Sequence, residues 1–341
     1  MPSSAENKPT MKDVARVAGC DVSTVSLALR GDPRITAATR ERVAAAARQL
    51  GYAVHPMVAA WVSARRRGRA VSQRLPLAYL TCHPGDFRWR ASEHFRAIFE
   101  GARDRAAGGG FNLTEFCLAD YAGNLARLFQ VLVTRNVQGV IVGPALQHHA
   151  LPDWDWSRFS LVTIGYALTS PVVHRVTEDH HLGMKLAFEA CLARGHRRIG
   201  LAMVRKHNAL RRERWLAAYL FEQYNRLGAE DRLVPYEARS SAALTEALAW
   251  AKAERPDVVL TDDPEAWRDT SVNRLGFALA AAYRHPGVYE NNRGIGASAA
   301  ELLVALIMRN ERGVPKSRQT VLVEPTWLDP AEGAPSASNS P

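Results

Sequence analysis

Apolar residues recur at helical spacing in three short segments near the N-terminus. Val14, Val17 and Ala18 form one stripe after Thr10, whose pairing with Asp13 three residues on is a capping-box signal, and Gly19 ends the run. Val22, Val25, Ala28 and Leu29 make the next stripe behind Asp21, and Gly31-Asp32-Pro33 breaks the chain. Thr36 opens a third helix with Val43, Ala46, Ala47 and Leu50 inward and Gly51 just past its end. Two short helices across a glycine-containing turn, followed by a third, predict a helix-turn-helix head. Pattern alone leaves a generic three-helix bundle open.

Beyond a polar, arginine-rich stretch from Ser63 to Arg74, apolar runs and helical stripes alternate. Strands are expected at Leu77–Thr81, Asn112–Leu118, Val137–Val142, Leu161–Gly165, Ile199–Val204, Val258–Thr261 and Thr320–Glu324. Helices are expected at Phe95–Ala107, Leu125–Arg135, Leu182–Ala193, Arg211–Leu227, Leu244–Ala253 and Ala297–Arg309. Such alternation predicts parallel sheets flanked by helices, and about 250 residues allow two such lobes. Residues 331–341, rich in Ala, Ser and Pro, read as a disordered tail.

Composition narrows the classes. The chain has 341 residues, 47% hydrophobic and 23% charged, ordinary for a globular protein of two or three domains. No apolar run approaches the roughly 18–20 residues of a membrane helix, and MPSSAENKPTMKDVAR lacks the basic-then-apolar order of a secretory signal. The four cysteines (Cys20, Cys82, Cys117, Cys191) are scattered, without zinc-ligand spacing, and read as reduced thiols. A cytoplasmic protein without metal, cofactor or membrane partner is expected. Charge then separates the head from the body. Of a net charge of +10, residues 1–74 hold +8, from 13 basic and five acidic side chains. A basic head on a nearly neutral body points to a polyanion partner for the head.

The stretch from Met11 to Tyr52 resembles the DNA-binding head of the lactose-repressor (LacI/GalR) family of bacterial transcription regulators. The shared words are Asp13-Val14-Ala15, Ala18-Gly19, Thr24-Val25-Ser26, Thr39-Arg40-x-Arg42-Val43 and Leu50-Gly51-Tyr52. The body is similar, more loosely, to the family's periplasmic-binding-protein-like core through Glu178-Asp179-x-x-x-Gly183, Gly195-His196-Arg197-Arg198-Ile199-Gly200 and Ile295-Gly296-x-x-Ala299. The resemblance implies an all-α head at 10–54, a hinge helix and basic linker at 55–75, and a core of two Rossmann-like lobes at 76–330. It also implies a ligand cleft and a homodimer.

A recognition helix shows the N-terminal part of its outer face to base edges in the major groove. That face carries Val22, Ser23, Ser26 and Leu27, and by resemblance Val22, Ser23 and Leu27 hold the base-reading positions. Where the family commonly has Arg, Leu27 offers only apolar contact, as to a thymine methyl, or packs against the hinge. Thr24, Ser26 and Arg30 suit phosphates, as do Arg65, Arg66 and Arg67 beyond the hinge. Met57, Ala60 and Trp61 fall on the hinge helix. There the family wedges a leucine into the minor groove; Trp61 either does the same or packs between two hinge helices.

In the body, His148-His149 and His180-His181 are adjacent pairs whose rings do not face one another on a helix or strand. Asp262-Asp263 follows the strand Val258–Thr261, where open α/β sheets place ligand groups. No nucleophile elbow, zincin motif or phosphate loop occurs, so a non-enzyme is expected. By resemblance, Asp179, Arg211, Asp262 and Asn291 contact the effector, and Asn291 stands where many relatives have Asp. The expected function is a dimeric transcription regulator, a repressor, whose affinity for double-stranded operator DNA responds to a small molecule such as a saccharide. The alternatives are an architectural DNA-binding protein without effector response and, more remotely, a cytoplasmic enzyme.

Overall fold

Met11, Val14, Ala15 and Ala18 lie on one side of a helix, and burying that side against two further stripes is what forms the head. The computed structural model describes residues 9–29, 32–52, 74–83, 87–239, 244–279 and 285–329. The first helix, α1 (Met11–Ala18), opens on a complete capping box. The Thr10 backbone N–H donates to Asp13 Oδ2 at 3.0 Å, and the Asp13 N–H donates to Thr10 Oγ1 at 3.4 Å. These bonds lower the Asp13 pKa, the Thr10 backbone donor most. Gly19, at φ 62°, ends α1, and Arg42 Nε donates to the Ala18 carbonyl at 2.9 Å, satisfying an otherwise orphaned acceptor. Val25 and Ala28 of α2 (Val22–Leu29) and Val43, Ala46 and Ala47 of α3 (Ala37–Gln49) complete the buried core. Thr36 caps α3, as its sequence position predicts.

The core has two six-stranded sheets. The first runs β13-β7-β5-β3-β1-β2, all parallel. Its strands are β1 (Leu75–Thr81), β2 (Phe111–Cys117), β3 (Gly139–Val142), β5 (Ser160–Ile164), β7 (His174–Glu178) and β13 (Thr320–Val323). The short strands β4 (His149–Ala150) and β6 (Leu168–Ser170) pair beside it. One face packs on α4 (Glu93–Gly108) and α10 (Asn292–Met308), the other on α5 (Leu125–Thr134) with Trp156 and Phe159.

The second sheet runs β14-β12-β11-β10-β8-β9, parallel except for β14 against β12. Its strands are β8 (Ile199–Val204), β9 (Tyr236–Ala238), β10 (Val258–Thr261), β11 (Arg274–Leu279), β12 (Gly287–Tyr289) and β14 (Thr326–Leu328). Helices α6 (His180–Ala193) and α8 (Arg214–Arg226) cover one face and α9 (Leu244–Glu254) the other. The chain passes between lobes three times: at Asp179, at Glu290-Asn291, and between β13 and β14.

Several strands differ from expectation. β7, with sequence HRVTE, is polar in composition yet fully buried between β5 and β13, so no apolar run marks it. β4, β6, β9, β11, β12 and β14 were likewise not expected. The helix expected over Arg211–Leu227 begins later. A short α7 (Arg205–Leu210) precedes it, and Arg212 and Glu213, at φ 57° and 60°, form a left-handed turn before α8. The hinge residues Met57, Ala60 and Trp61, along with Arg30, Arg65, Arg66, Arg67 and the tail 331–341, lie outside the described residues. Among the described residues, no helix is long and apolar enough to cross a membrane.

The head rests on the first lobe at the end of α10. The Met11 N–H and the Tyr52 hydroxyl each donate to the Arg309 carbonyl at 3.4 Å, and Lys12 pairs with Glu311 at 3.2 Å. At the other end α10 is pressed against α4. A Cβ on Gly296 would meet the Ile98 carbonyl oxygen at 1.9 Å, and one on Gly101 would meet that of Arg293 at 2.1 Å. Gly296→Ala should therefore destabilise the protein by about 1–3 kcal/mol or more in chemical denaturation, because the obstruction is backbone. Gly108→Ala, with nothing within 4 Å of the new methyl, should be neutral or stabilise by up to about 1 kcal/mol. Equal effects would refute the close helix contact.

Candidate functional site

The outer face of α2 is the first candidate. Ser23 is exposed, Leu27 is half-buried, and Thr24 and Ser26 are half-buried beside them. Val22 packs partly against the head's core, which leaves Ser23 and Leu27 as the freer of the three base-reading candidates. The sequence resemblance could not show this, because packing rather than spacing decides it.

The second candidate is a cavity of about 280 Å³ between the lobes. It lies outside the carboxyl ends of β3, β5, β7, β10 and β12, where parallel sheets leave room for ligands. The first lobe supplies an apolar stretch, Phe95, Ile98, Leu146, Ile164 and Ile295, beside the polar His94 and Glu178. The second lobe supplies Arg211, Trp215, His180, His207 and Asp262. Two of the four expected effector residues, Arg211 and Asp262, line the cavity.

Asp179 and Asn291 do not. Asp179 caps α6, accepting from the Leu182 N–H at 3.0 Å, and Asn291 caps α10, accepting from the Gly294 N–H at 3.2 Å. Their preceding neighbours, Glu178 and Glu290, line the cavity instead. Each ends its strand just before the chain crosses between lobes. Strand alternation could have favoured Glu178, but β7 shows no strand pattern.

Glu178 and Glu290 are both buried. As two carboxylates they would leave both Glu178 oxygens without a hydrogen-bond partner. Burial, together with the facing Glu290, raises the Glu178 pKa well above the ordinary carboxylate range, so Glu178 carries the proton and donates to Glu290. Burial opposes the charge on Glu290 too. There His94, whose Nδ1 lies 3.2 Å from Oε2, and Arg211, at 3.8 Å from Oε1, outweigh it and hold Glu290 ionised. Arg211 also stacks on Trp215 at 4.0 Å and donates to the His207 carbonyl at 3.1 Å.

Two further groups complete the wall. His180 Nδ1 lies 3.3 Å from Glu178 Oε2 but outside hydrogen-bond geometry, and neither ring nitrogen has a partner. Burial, then Arg211, pushes His180 down to about 3, so its ring is neutral. Asp262 is satisfied, receiving His207 Nδ1 at 2.7 Å and the Val204 N–H at 3.3 Å. The arrangement can accept hydrogen bonds from a hydroxyl-rich ligand while Trp215 and the apolar wall cover its faces. Among the described residues, no group of three or more His, Cys, Asp or Glu side chains is placed to hold a metal ion.

Comparison with known proteins follows the two halves of the chain. Residues 10–54 match the family described as bacterial regulatory proteins, lacI family. No curated protein matches the sequence. The fold is similar to the transcriptional regulator CelR in complex with cellobiose, at 21% identity and TM-score 0.54, covering 94% of this chain and 98% of that one. It is similar to the lac repressor dimer bound to operator and the anti-inducer ONPF, at 17% identity and TM-score 0.51, over 94% and 98%. A third similar structure is the lac repressor bound to ONPG in the repressed state, at 18% identity and TM-score 0.52, over 94% and 98%. At these identities the likeness establishes the fold: a helical head followed by a two-lobed α/β core.

The raised Glu178 pKa gives a pH signature. The folded state holds this proton above the ordinary glutamate value of 4.5, whereas the unfolded chain releases it. Wild-type stability should fall relative to Glu178→Gln as pH rises above 4.5, by up to about 1.4 kcal/mol per pH unit until the folded group ionises. Below 4.5 the difference should level off. Urea denaturation of both proteins between pH 4 and 8 measures it; parallel curves would show that Glu178 is not held protonated.

Proposed function

We propose that this protein, whose head is that of the lacI family of bacterial regulatory proteins, is a dimeric, cytoplasmic transcription regulator and not an enzyme. Residues 10–54 bind operator DNA, residues 76–330 form the effector-binding and dimerisation core, and residues 55–75 join them. One observation carries the reading: the capped three-helix head that matches this family is joined to a two-lobed core with a ligand-sized cavity.

Ser23 and Leu27 read bases, with Val22 contributing at the edge. Thr24, Ser26, Arg30 and Arg65–Arg67 hold phosphates, which fixes position without reading sequence. The ligand is a small hydroxyl-bearing molecule such as a saccharide. Glu178, Glu290 and Arg211 bind its polar groups, and Trp215 covers a face. A ligand that favours one lobe arrangement shifts operator affinity by its difference in affinity for the two arrangements. Support comes from two proteins similar in fold, CelR in complex with cellobiose and the lac repressor bound to the anti-inducer ONPF.

Selection of binding sites from random duplexes tests the head. The wild type should select a palindrome, and Leu27→Arg should shift one base in each half-site toward guanine, by about 1–3 kcal/mol. Replacing Arg65, Arg66 and Arg67 by Gln should weaken all sequences alike and reduce the log–log salt slope by about 0.9 per lost phosphate contact. A selected motif that ignores Leu27→Arg would remove α2 as the reading helix. In the core, Arg211→Ala should weaken ligand binding by about 1.5–3 kcal/mol in calorimetry while operator affinity without ligand changes little.

A further inference from the structure

Four arginines gather at the seam beside the cavity, and among the described residues none has a carboxylate within 4.0 Å. Arg175 is the buried one, 2% exposed as the second residue of β7. Its guanidinium lies 4.5 Å from the Tyr166 ring and donates only to the Gly165 carbonyl. Arg214 and Arg212 lie over the same ring at 4.7 and 5.6 Å, and both are exposed. Arg318, exposed at the approach to β13, adds a fourth charge beside Arg175. Arg175 and Arg318 belong to the first lobe, Arg212 and Arg214 to the second.

This arrangement is unfavourable for the chain alone. A buried guanidinium without a counter-charge is costly, and three like charges worsen it. Burial first, then Arg212 and Arg318, brings Arg175 down to about 10. The face of one tyrosine offsets only part of the cost. The one acid within the turn, Glu213, faces away and accepts from Asn208. Arg212 and Glu213 hold consecutive left-handed conformations to form that turn, which bulky L-residues adopt at a cost. Gly165 and Tyr166 also line the cavity, so the arginine seam and the Glu178–Glu290 wall border one space.

We infer that this seam binds a phosphate-class oxyanion, either free or as the phosphoryl group of the molecule in the adjoining cavity. Planar guanidinium forks match the oxygen geometry of phosphate, and charges from both lobes converge on one anion. The ligand's hydroxyl groups then face Glu178 and Glu290 while its anionic end faces Arg212 and Arg214. The oxyanion site stands on the arginine cluster itself; only its link to regulation rests on the function proposed above.

The test uses the full chain in phosphate-free buffer, with inorganic phosphate, glucose 6-phosphate and glucose each added at matched ionic strength. Inorganic phosphate should raise the melting temperature saturably. Arg212→Gln/Arg214→Gln should weaken that binding at least tenfold, and Arg318→Gln should weaken it measurably. Without phosphate, the double variant should melt no lower than wild type, because it removes repulsion; a purely structural stack on Tyr166 requires the opposite. Tighter binding of glucose 6-phosphate than of phosphate assigns the site to a phosphorylated sugar, and equal binding assigns it to free phosphate. No response to phosphate, or a response unchanged in the double variant, overturns the inference. Operator titrations separate the two claims. Operator affinity blind to every ligand, with phosphate binding intact, sinks the regulatory reading alone. Operator response to unphosphorylated ligands, with no phosphate binding, sinks the oxyanion site alone.

Discussion

A buried acid pair, Glu178 and Glu290, sits where the two lobes meet beside the cavity. Glu178 ends a strand of the first sheet and Glu290 follows a strand of the second, so their carboxyl groups meet where the sheets face each other. Two facing carboxyl groups buried together disfavour double ionisation, and the environment favours charge on one of them. His94 of the first lobe and Arg211 of the second both favour charge on Glu290. The residues directly after the two glutamates, Asp179 and Asn291, are spent on capping the helices that lead away. Chain crossing, helix start and buried acid pair are thus one local construction, used twice.

Much of this was legible in sequence, and the gaps have physical reasons. The Thr10–Asp13 box, the Thr36 cap and the apolar strands β1, β3, β8 and β10 announce themselves, because caps and core runs are local in sequence. β7 does not: His174, Arg175, Thr177 and Glu178 are buried by their neighbours in the sheet, which no window of sequence contains. The cavity residues show the same limit at finer scale. Asp179 and Asn291 carry the side chains expected of ligand contacts, but those side chains also make good caps. The backbone gave them the second task and turned the longer glutamates inward. Asp262 was legible because the strand it follows, β10, lies where its apolar run puts it, whereas Arg211 came by resemblance, from a helix that in fact begins at Arg214.

The cavity and its border carry two chemistries. Carboxyl groups of Glu178, Glu290 and Asp262 line it, and the guanidinium groups of Arg175, Arg212 and Arg214 lie over the ring of Tyr166, itself a lining residue. Neither set neutralises the other fully, since only Arg211 reaches across to Glu290. Such separation produces a field across a space with one apolar wall, where screening by water is weak. A molecule bound there is oriented as well as held.

Helix α10 gives these local details reach. It begins at the Glu290–Asn291 crossing, places Ile295 in the cavity wall, and ends where the Arg309 carbonyl receives the head. Backbone contact with α4 at Gly101 and Gly296 braces it along that stretch, so the pair can be treated as one stiff beam. Its 17 residues, at about 1.5 Å each, make a beam roughly 25 Å long, and a tilt of about 5° at the cavity end displaces the other by about 2 Å. The contacts of Met11, Lys12 and Tyr52 tolerate less than that. A change of cavity packing that tilted α10 would therefore reach the seat of the head as a displacement larger than the contacts there tolerate.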